Sequence, residues 1–572
     1  MARWLGLFIV LALAGGIAWR ASLPPSPQSA TIAADAFSAG RAMADVRVIA
    51  ARPHPTGSAA NTDVRAALTA RLRAHGFSVR TQAVFLPPRA VKRLAAWGDP
   101  DARFRQAVSL IAVRPGRNPA LPAVALMAHY DSVAGSPGAG DDAAGVAAAL
   151  EIARAIPASA QARDLVILFT DAEELGLVGA RAIFAAPPQD DPIAARIGVL
   201  INLETRGGGG RALMFETSRD AGNLIRLYRD AVPTPATTAL AVKIYELLPN
   251  STDFTASKAR GIAGYNFAFT GGAALYHSPL ATPDAIDAGS LQHMGDQALA
   301  LARPLLAVSA LPAPAPDLAY GDILGLTTLA YAPAWGWLIV AAIAACLVSA
   351  GRARRDWRGA RVAGAMLDGV VAAAAVAVLA YLGNLLSGAD GKTNYYDRLA
   401  ALPRLEVMAL IAAAAGITLT LALAPRHRSR WDGWLGLAAL NLLLLVALQI
   451  ALPVGAPVLA WPLLPAALAM AVAARSPRTG SLLAGAAAVF GLAAVATLGH
   501  LVLLSVGIAT PGAIAVFAPL ALLLAWPLLP EKPTRRPLLS AVALLCGVQA
   551  GLALWVRLDP LAPSVAAYDP LA

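Results

Sequence analysis

The distribution of apolar residues divides the chain into three parts. An apolar run, WLGLFIVLALAGGIAW, occupies residues 4–19 directly behind Arg3. From about residue 323 onward the chain is nearly continuous apolar sequence, interrupted by short clusters of arginine. Between these parts, residues 35–310 alternate β-rich apolar runs with stretches of helical periodicity. The pattern predicts a soluble α/β domain between two regions that place their apolar residues in lipid.

The central part, residues 35–310, shows the alternation of strands and helices that is typical of an α/β fold. Three apolar runs predict strands: PAVALMA at 122–128, DLVILFT at 164–170 and IGVLINL at 197–203. Helical stretches are predicted between and after them, for example at 142–156 and 290–306. This order predicts a mostly parallel sheet flanked by helices. A proline-rich linker, residues 311–322, closes the domain.

The C-terminal part, residues 323–557, is predicted to be an all-α membrane domain of about eight helices. The predicted spans are roughly 323–349, 362–386, 405–424, 434–452, 457–474, 481–507, 511–529 and 538–556. The first apolar run is predicted to be an uncleaved N-terminal anchor at residues 1–22, in preference to a cleaved signal segment. The anchor brings the number of predicted spans to about nine.

Composition and charge support a membrane protein and indicate its orientation. The chain is 57% hydrophobic and 14% charged, whereas soluble domains are usually about a quarter charged. The formal net charge is +11, and the basic residues cluster in alternate connections. The clusters contain Arg352, Arg354, Arg355, Arg358, Arg361, Arg426, Arg428, Arg430, Arg475, Arg478, Lys532, Arg535 and Arg536. By the positive-inside rule, the α/β domain lies on the non-cytoplasmic side, facing the periplasm in a bacterium.

Two classes of protein are disfavoured by the same composition. The sequence has no basic-aromatic patch or nucleic-acid-binding motif, so the lipid bilayer is expected as a partner and nucleic acid is not. The two cysteines, Cys346 and Cys546, both lie in apolar runs, so a disulfide framework is excluded. A domain outside the cytoplasm would therefore depend on its core and on bound metal.

The first candidate for chemistry is His129, which follows the strand predicted at 122–128. A histidine at the carboxyl end of a strand points into the crevice where open α/β sheets bind ligands. Asp131, two residues later, could accept the second imidazole N–H and orient a metal ligand. A histidine and an aspartate at this spacing also occur often by chance, so the pair alone is a weak signal.

Two further motifs contain adjacent acidic residues. In PGAGDDAAG, Asp141 is the better candidate for a metal ligand, whereas Asp142 is suited to cap the helix that comes next. In TDAEELG, Glu173 and Glu174 follow a strand, where two adjacent carboxylates are costly unless a cation neutralises them. One glutamate could bind metal while the other acts as general base. The alternative is a solvated helix start, where acidic residues are also favoured.

Two more candidates complete the set. The strand IGVLINL leads to Glu204, and the strand GYNFAFT leads to Tyr276-His277-Ser278. Together with the preceding motifs, these residues place several acids and two histidines just past strand ends. Carboxylate oxygen and imidazole nitrogen are ligands that suit zinc. Each motif is modest by itself, and their joint order along the chain is the stronger signal.

The ordered set of motifs resembles the zinc aminopeptidases of clan MH, peptidase family M28. The shared pattern is H-x-D, P-G-x-x-D-[DN]-x-x-G, D-x-E-E-x-G-x-x-G, N-L-E and Y-H-[ST], over about residues 123–280. The layout of one span, this domain and a multi-span C-terminus resembles the membrane-bound branch of endoplasmic-reticulum metallopeptidases. The resemblance implies a zinc-exopeptidase fold and a two-zinc hydrolase that most often removes N-terminal residues from peptides.

The resemblance also implies a role for each candidate residue. Asp141 would bridge two zinc ions. His129 and Glu204 would complete the ligands of one ion, and Glu174 and His277 those of the other. Glu173 would be the general base, taking a proton from the attacking water and passing it to the leaving amine. Asp131 would orient His129.

Two departures from the family pattern leave alternatives open. Ala281 stands where the family often has an aspartate, four residues after the last histidine. Glu204 stands where simple aminopeptidases have aspartate, which leaves both amino-terminal and carboxy-terminal specificity open. The same fold also serves non-catalytic receptors and glutaminyl-cyclase-like acyl transferases. Asp253, in the stretch STDF, is predicted either to stabilise a loop near the site or to cap a turn.

Overall fold

The computed structural model describes residues 2–391, 395–424, 429–530 and 534–559. Three basic residues used in the topology prediction, Arg426, Arg428 and Lys532, lie outside these ranges. The chain divides into two compact units. One comprises the N-terminal helix α1 (Ala2–Ser22), residues 319–324 and the described residues between 331 and 559. The other comprises residues 23–318 and 325–330. The domain boundaries expected from sequence stay predictions.

The unit that contains residues 23–318 is built on a seven-stranded sheet. Its strands are β1 (Ser78–Phe85), β2 (Gln106–Arg114), β3 (Ala123–His129), β4 (Leu165–Thr170), β5 (Ile197–Thr205), β6 (Gly209–Thr217) and β7 (Ala263–Gly271). Their order across the sheet is β1-β2-β4-β3-β5-β7-β6. The four central strands pair in parallel, and β2 and β6 run antiparallel to their neighbours. The prediction of a mostly parallel sheet is confirmed.

Ten helices accompany this sheet within the described residues, and the prediction of flanking helices is confirmed. They are α2 (Ala39–Ile49), α3 (Ala59–Ala74), α4 (Pro88–Ala96), α5 (Gly145–Ala155), α6 (Val178–Ala185), α7 (Ile193–Arg196), α8 (Gly222–Ala231), α9 (Ala239–Leu247), α10 (Asp253–Ala259) and α11 (Ala288–Ala307). Strands β3 and β4 are buried along their whole length. Their continuous apolar sequence is typical of strands covered on both faces.

The direction of the central strands decides where a site can form. Because β3, β4, β5 and β7 are mutually parallel, their carboxyl ends meet at one edge of the sheet. In open α/β sheets, ligands bind in the crevice outside this edge. Every polar motif that comes directly after one of these strands in the sequence is therefore delivered to the same region.

In the other unit, the described residues are helical apart from the short strand β8 (Ala319–Asp322) and the last residue of β9 (Thr328–Tyr331), whose first three residues belong to the sheet-containing unit. After α1, its helices are α12 (Gly336–Ala353), α13 (Gly359–Asn384), α14 (Tyr395–Ala400), α15 (Leu402–Leu423), α16 (Arg430–Ala451), α17 (Pro457–Ala473), α18 (Pro477–Val506), α19 (Ala518–Ala525) and α20 (Arg535–Leu558). Among the described residues, eight helical segments, α1 included, are long and apolar enough to cross a membrane. The span predicted at 457–474 is the shorter apolar helix α17.

The start of the first C-terminal span differs from the prediction. A helix was expected from residue 323, but α12 begins only at Gly336 and a single 3₁₀ turn starts at Pro333. Leu324 and Gly325 have φ values of +51° and +75°. These positive φ values are incompatible with a right-handed helix. Pro333 has no backbone N–H, so a helix accommodates it in the first turn but not in the interior.

Candidate active site

The predicted site residues converge on the carboxyl edge of the sheet. His129 is the last residue of β3, and Glu204 is the penultimate residue of β5. Glu173 and Glu174 follow β4, and His277 follows β7. Asp141 lies in the irregular turn that precedes α5. Although these residues are scattered over nearly 150 positions of the chain, the parallel sheet brings them together.

One group of donor atoms consists of His129, Asp141 and Glu204. The Nε2 atom of His129 lies 3.0 Å from Oδ1 of Asp141 and 3.8 Å from Oε2 of Glu204. One ligand atom from each of the three residues lies within 4.8 Å of the others. This spacing is compatible with a single metal ion held by one nitrogen and two oxygens.

A second group consists of Asp141, Glu174 and His277. The Nε2 atom of His277 lies 3.3 Å from Oδ2 of Asp141 and 3.1 Å from Oε2 of Glu174. These ligand atoms also lie within 4.8 Å of one another. Asp141 therefore directs Oδ1 to His129 in one group and Oδ2 to His277 in the other. Glu173 and Glu174 form a further such group with His129.

Asp131 stabilises this arrangement through its main chain as well as its carboxylate. The Nδ1 atom of His129 lies 3.0 Å from the carbonyl oxygen of Asp131 and 3.5 Å from its Oδ1 atom. The carboxylate accepts hydrogen bonds from the backbone N–H groups of Glu173 at 3.1 Å and Glu174 at 3.3 Å. Asp131 thus connects the end of β3 with the two glutamates that come after β4. The prediction involved only the contact with His129.

Asp142 has a different environment from its neighbour Asp141. Its Oδ1 atom accepts a hydrogen bond from the backbone N–H of Gly145 at 3.0 Å, at the start of α5. Asp142 belongs to none of the groups of donor atoms found among the described residues. The carboxylate of Asp142 is thus engaged at the start of α5, whereas that of Asp141 faces two histidines.

The electrostatics of the cluster indicate a shortage of positive charge. Burial raises the pKa of Glu173 and of Glu204 well above their usual value, and neighbouring carboxylates raise each further. Burial also raises the pKa of Glu174, and its Oε1 atom has no hydrogen-bond partner among the described residues. Burial opposes ionisation of Asp141, but hydrogen bonds from His129 and His277 hold the pKa of its carboxyl well below the usual range.

The donor set fits divalent zinc. Crowded, buried carboxylates are costly unless cations neutralise them. Two imidazoles and three carboxylates provide nitrogen and oxygen ligands of the kind that zinc accepts in catalytic sites. A cation among these side chains would give the unpartnered Oε1 atom of Glu174 a partner.

Asp171, a residue outside the predicted set, anchors the loop after β4 through hydrogen bonds to distant parts of the chain. Asp171 accepts hydrogen bonds from Thr56 Oγ1 at 3.0 Å and from Asn61 Nδ2 at 3.2 Å. It also accepts one from the backbone N–H of Val108 at 2.8 Å. These contacts anchor the segment that leads to Glu173. No sequence signal connects Thr56 to Asp171, because they are 115 residues apart.

Asp253 and Tyr245 are also close to the cluster. Asp253 is fully buried and accepts a hydrogen bond from the hydroxyl of Thr170, the last residue of β4. Burial raises the pKa of Asp253 to about 6. The Tyr245 hydroxyl has no partner with hydrogen-bond geometry among the described residues. Burial and then the charges of Glu216 and Glu204 raise its pKa. Sequence patterns did not identify Tyr245, since a tyrosine near a helix end is common.

Comparison with known proteins finds a family match and several relatives for the region of the sheet. Residues 109–302 match the model of Peptidase family M28. Endoplasmic reticulum metallopeptidase 1 of Homo sapiens is 33% identical over 232 residues, covering 39% of this chain and 25% of the relative. A vacuolar membrane protease of Candida dubliniensis is 32% identical over 253 residues, covering 44% of this chain and 26% of the relative. The matched region thus spans about a quarter of the length of these curated relatives.

A search of solved structures returned, among others, an aminopeptidase from Aneurinibacillus sp. strain AM-1. The two sequences are 15% identical, the alignment covers 49% of the present chain and 97% of the aminopeptidase, and the TM-score is 0.39. The resemblance inferred from the ordered motifs is confirmed by the match to the family model. Residues 109–302 thus match peptidase family M28, in a chain whose described residues include eight helical segments long and apolar enough to cross a bilayer.

Proposed function

We propose that this protein is a membrane-anchored exopeptidase that binds two zinc ions and releases N-terminal residues from peptides. The observation that carries the proposal is the position of Asp141. Its two carboxylate oxygens face two different histidines, each of which is accompanied by a further carboxylate. Such an arrangement suits two ions that share one bridging ligand.

The proposed ligands follow from the two groups of donor atoms. His129, Asp141 and Glu204 would hold one ion, and Asp141, Glu174 and His277 would hold the other. Zinc in this position supplies a Lewis acid that polarises the scissile carbonyl and makes a water molecule more acidic. The carbonyl of Asp131 accepts from Nδ1 of His129, which leaves Nε2 of the same ring free to face the cluster.

Glu173 is the proposed general base. Its backbone N–H is held by Asp131, and its carboxylate lies within 4.8 Å of ligand atoms from His129 and Glu174. Unlike the buried ligand Glu174, its side chain is partly exposed. A carboxylate there can take a proton from the attacking water and pass it to the amine of the leaving peptide, which restores the carboxylate for the next cycle.

Tyr245 is the proposed donor to the substrate carbonyl. Its buried hydroxyl lies near the side chain of Thr252 but has no partner with full hydrogen-bond geometry among the described residues, and its charged neighbours include Glu204 and Glu173. A buried hydroxyl is rarely left without a partner unless a ligand or water completes it. As negative charge develops on the carbonyl oxygen, an O–H donor in this position stabilises it.

A combined metal and substrate analysis tests the proposed function. The full-length protein, purified in detergent without chelator, is expected to contain about two zinc ions per chain. On a panel of aminoacyl, dipeptidyl and carboxy-terminal substrates, it is expected to release N-terminal residues. A plateau at one tightly bound zinc with full activity contradicts the two-zinc proposal. Full zinc loading without hydrolysis of any substrate favours a receptor, and release of C-terminal residues alone contradicts the amino-terminal specificity.

The side of the membrane is a further part of the proposal. The peptidase domain is placed on the non-cytoplasmic side because the arginine clusters lie in alternate connections. In a bacterial host, a reporter active only in the cytoplasm is expected to be silent when fused after Tyr320. The matched control is a fusion after Arg355, between α12 and α13, where the reporter should be active. Activity at Tyr320 together with silence at Arg355 would reverse the orientation.

A further inference from the structure

Three polar residues stand side by side on adjacent strands behind the proposed zinc ligand Glu204. Asn202 of β5 is paired with Asn266 of β7, and Asn266 is paired with Glu216 of β6. Residues paired across neighbouring strands point to the same face of a sheet. Glu204, two residues beyond Asn202, shares that face. All four side chains are at least 95% buried, so their polar groups depend on partners inside the protein, which for Nδ2 of Asn266 include Oγ1 of Thr252 at 2.9 Å.

These side chains form a continuous series of hydrogen bonds, here called the amide ladder (Glu216, Asn266 and Asn202). The Nδ2 atom of Asn266 donates to Oε2 of Glu216 at 2.9 Å. The Nδ2 atom of Asn202 donates to Oδ1 of Asn266 at 3.0 Å and to Oε1 of Glu204 at 3.4 Å. At the far end, Nζ of Lys258 lies 2.8 Å from Oε1 of Glu216. The ladder therefore runs from a lysine to a proposed zinc ligand.

The direction of the ladder is determined by its lysine end. The carboxylate of Glu216, held against the Lys258 ammonium, can only accept hydrogen bonds. Asn266 must therefore turn its NH₂ group to Glu216, which leaves its carbonyl oxygen facing Asn202. Asn202 must in turn present its own NH₂ group, and the second hydrogen of that group is available to Glu204. An asparagine in the opposite orientation would place two acceptors against each other.

The ladder distinguishes the two oxygens of Glu204. Oε1 receives the hydrogen bond from Asn202, whereas Oε2 lies 3.8 Å from Nε2 of His129. A carboxylate whose one oxygen is already bound by a donor keeps the other oxygen oriented for a metal. Glu204 belongs to the group with His129 and Asp141, and the second group is completed by Glu174 and His277.

We propose that Asn202, Asn266 and Glu216 are positioning residues that present a single oxygen of Glu204 to one zinc ion and thereby raise the affinity of that position alone. The inference rests on the proposed two-zinc function. Groups that orient a metal ligand typically contribute about 10- to 100-fold in metal affinity. The effect is confined to one position because the ladder ends at a ligand that the two groups do not share.

The substitution Glu216→Gln tests the direction of the ladder without changing its shape. With Lys258 present, the glutamine oxygen is attracted to the ammonium and its NH₂ group turns to Asn266. Asn266 and Asn202 must then reverse, which places the oxygen of Asn202 against Oε1 of Glu204. In the double variant Glu216→Gln/Lys258→Met this attraction is gone, so the glutamine oxygen can again accept from Asn266.

Zinc titration of the metal-free, full-length protein against a competing chromophoric chelator measures both positions. We expect two zinc ions for the wild type, with one position weakened about 10- to 100-fold in Glu216→Gln and partly restored in the double variant. Asn202→Ala, which removes the contact with Glu204 directly, should weaken the same single position. Glu151→Gln is the matched control, since Glu151 is also buried and paired with arginines but lies on α5 away from the ladder.

The outcomes separate this inference from the proposed function. A wild type that binds fewer than two zinc ions contradicts the two-zinc proposal itself. A wild type that binds two, with unchanged affinities in folded Glu216→Gln and Asn202→Ala, overturns the ladder alone. Equal weakening of both positions also overturns it, because the ladder contacts only one of the two groups. Restoration in the double variant distinguishes orientation of Glu204 from a general loss of stability.

Discussion

Replacement of Glu173 by glutamine is expected to lower kcat by about two to four orders of magnitude. The amide keeps the shape of the side chain and its surroundings but cannot take a proton from water. Zinc content should remain close to that of the wild type, because the five proposed ligands are unchanged. The measurement is kcat and KM on the best peptide substrate, together with zinc content of the same preparation.

The neighbouring substitution Glu174→Gln is the matched control for this prediction. Glu174 faces His277 at 3.1 Å and is a proposed ligand, and a neutral amide is a poorer zinc ligand than a carboxylate. Its activity should therefore fall together with its zinc content and recover in part with excess zinc. Near wild-type turnover of Glu173→Gln on every hydrolysed peptide would show that another group is the base.

The second large effect is expected from Asp141→Asn. Asp141 is the only proposed ligand shared by both groups, with Oδ1 facing His129 and Oδ2 facing His277. An amide presents one oxygen instead of two and carries no charge, so both zinc positions should weaken together. Hydrolysis is expected to fall to the level of the metal-free protein. Zinc titration and turnover of the same sample measure the two losses.

Asp142→Asn provides a closely matched control for Asp141→Asn. Asp142 is the next residue and has the same side chain, but it accepts from the N–H of Gly145 and lies outside the groups of donor atoms. Asparagine caps helices about as well as aspartate, so zinc content and activity should change little. Retention of both zinc ions by Asp141→Asn, or loss of both by Asp142→Asn, would contradict the assignment of the bridging ligand.

Much of the site could be predicted because its residues are attached to strands that the sequence reveals. The apolar runs at 122–128, 164–170 and 197–203 predicted β3, β4 and β5 to within about two residues. Neighbouring parallel strands deliver the residues at their carboxyl ends to one edge of the sheet. His129, Glu173 and Glu204 therefore lie near one another for a reason that needs no knowledge of side-chain packing.

The supporting contacts could not be predicted in the same way. Asn202 and Asn266 are 64 residues apart, and Asn266 and Glu216 are 50 apart. Each is a buried polar residue within a strand, and no local pattern indicates which partner satisfies it. The hydroxyl of Thr56 reaches Asp171 in the same long-range manner. Such pairings depend on strand order and register, which single-sequence patterns do not specify.

The sequence by itself determined the division into an α/β domain and apolar helices, the central strands, and the ordered motifs of the peptidase family. These features arise from hydrophobic periodicity and local chemistry, which act over a few residues. Only the tertiary structure decided that Asp141 divides its oxygens between two histidines, that Asp131 holds Glu173 and Glu174, and that β8 and β9 precede α12. These features depend on backbone geometry and on burial of polar groups that must find partners far along the chain.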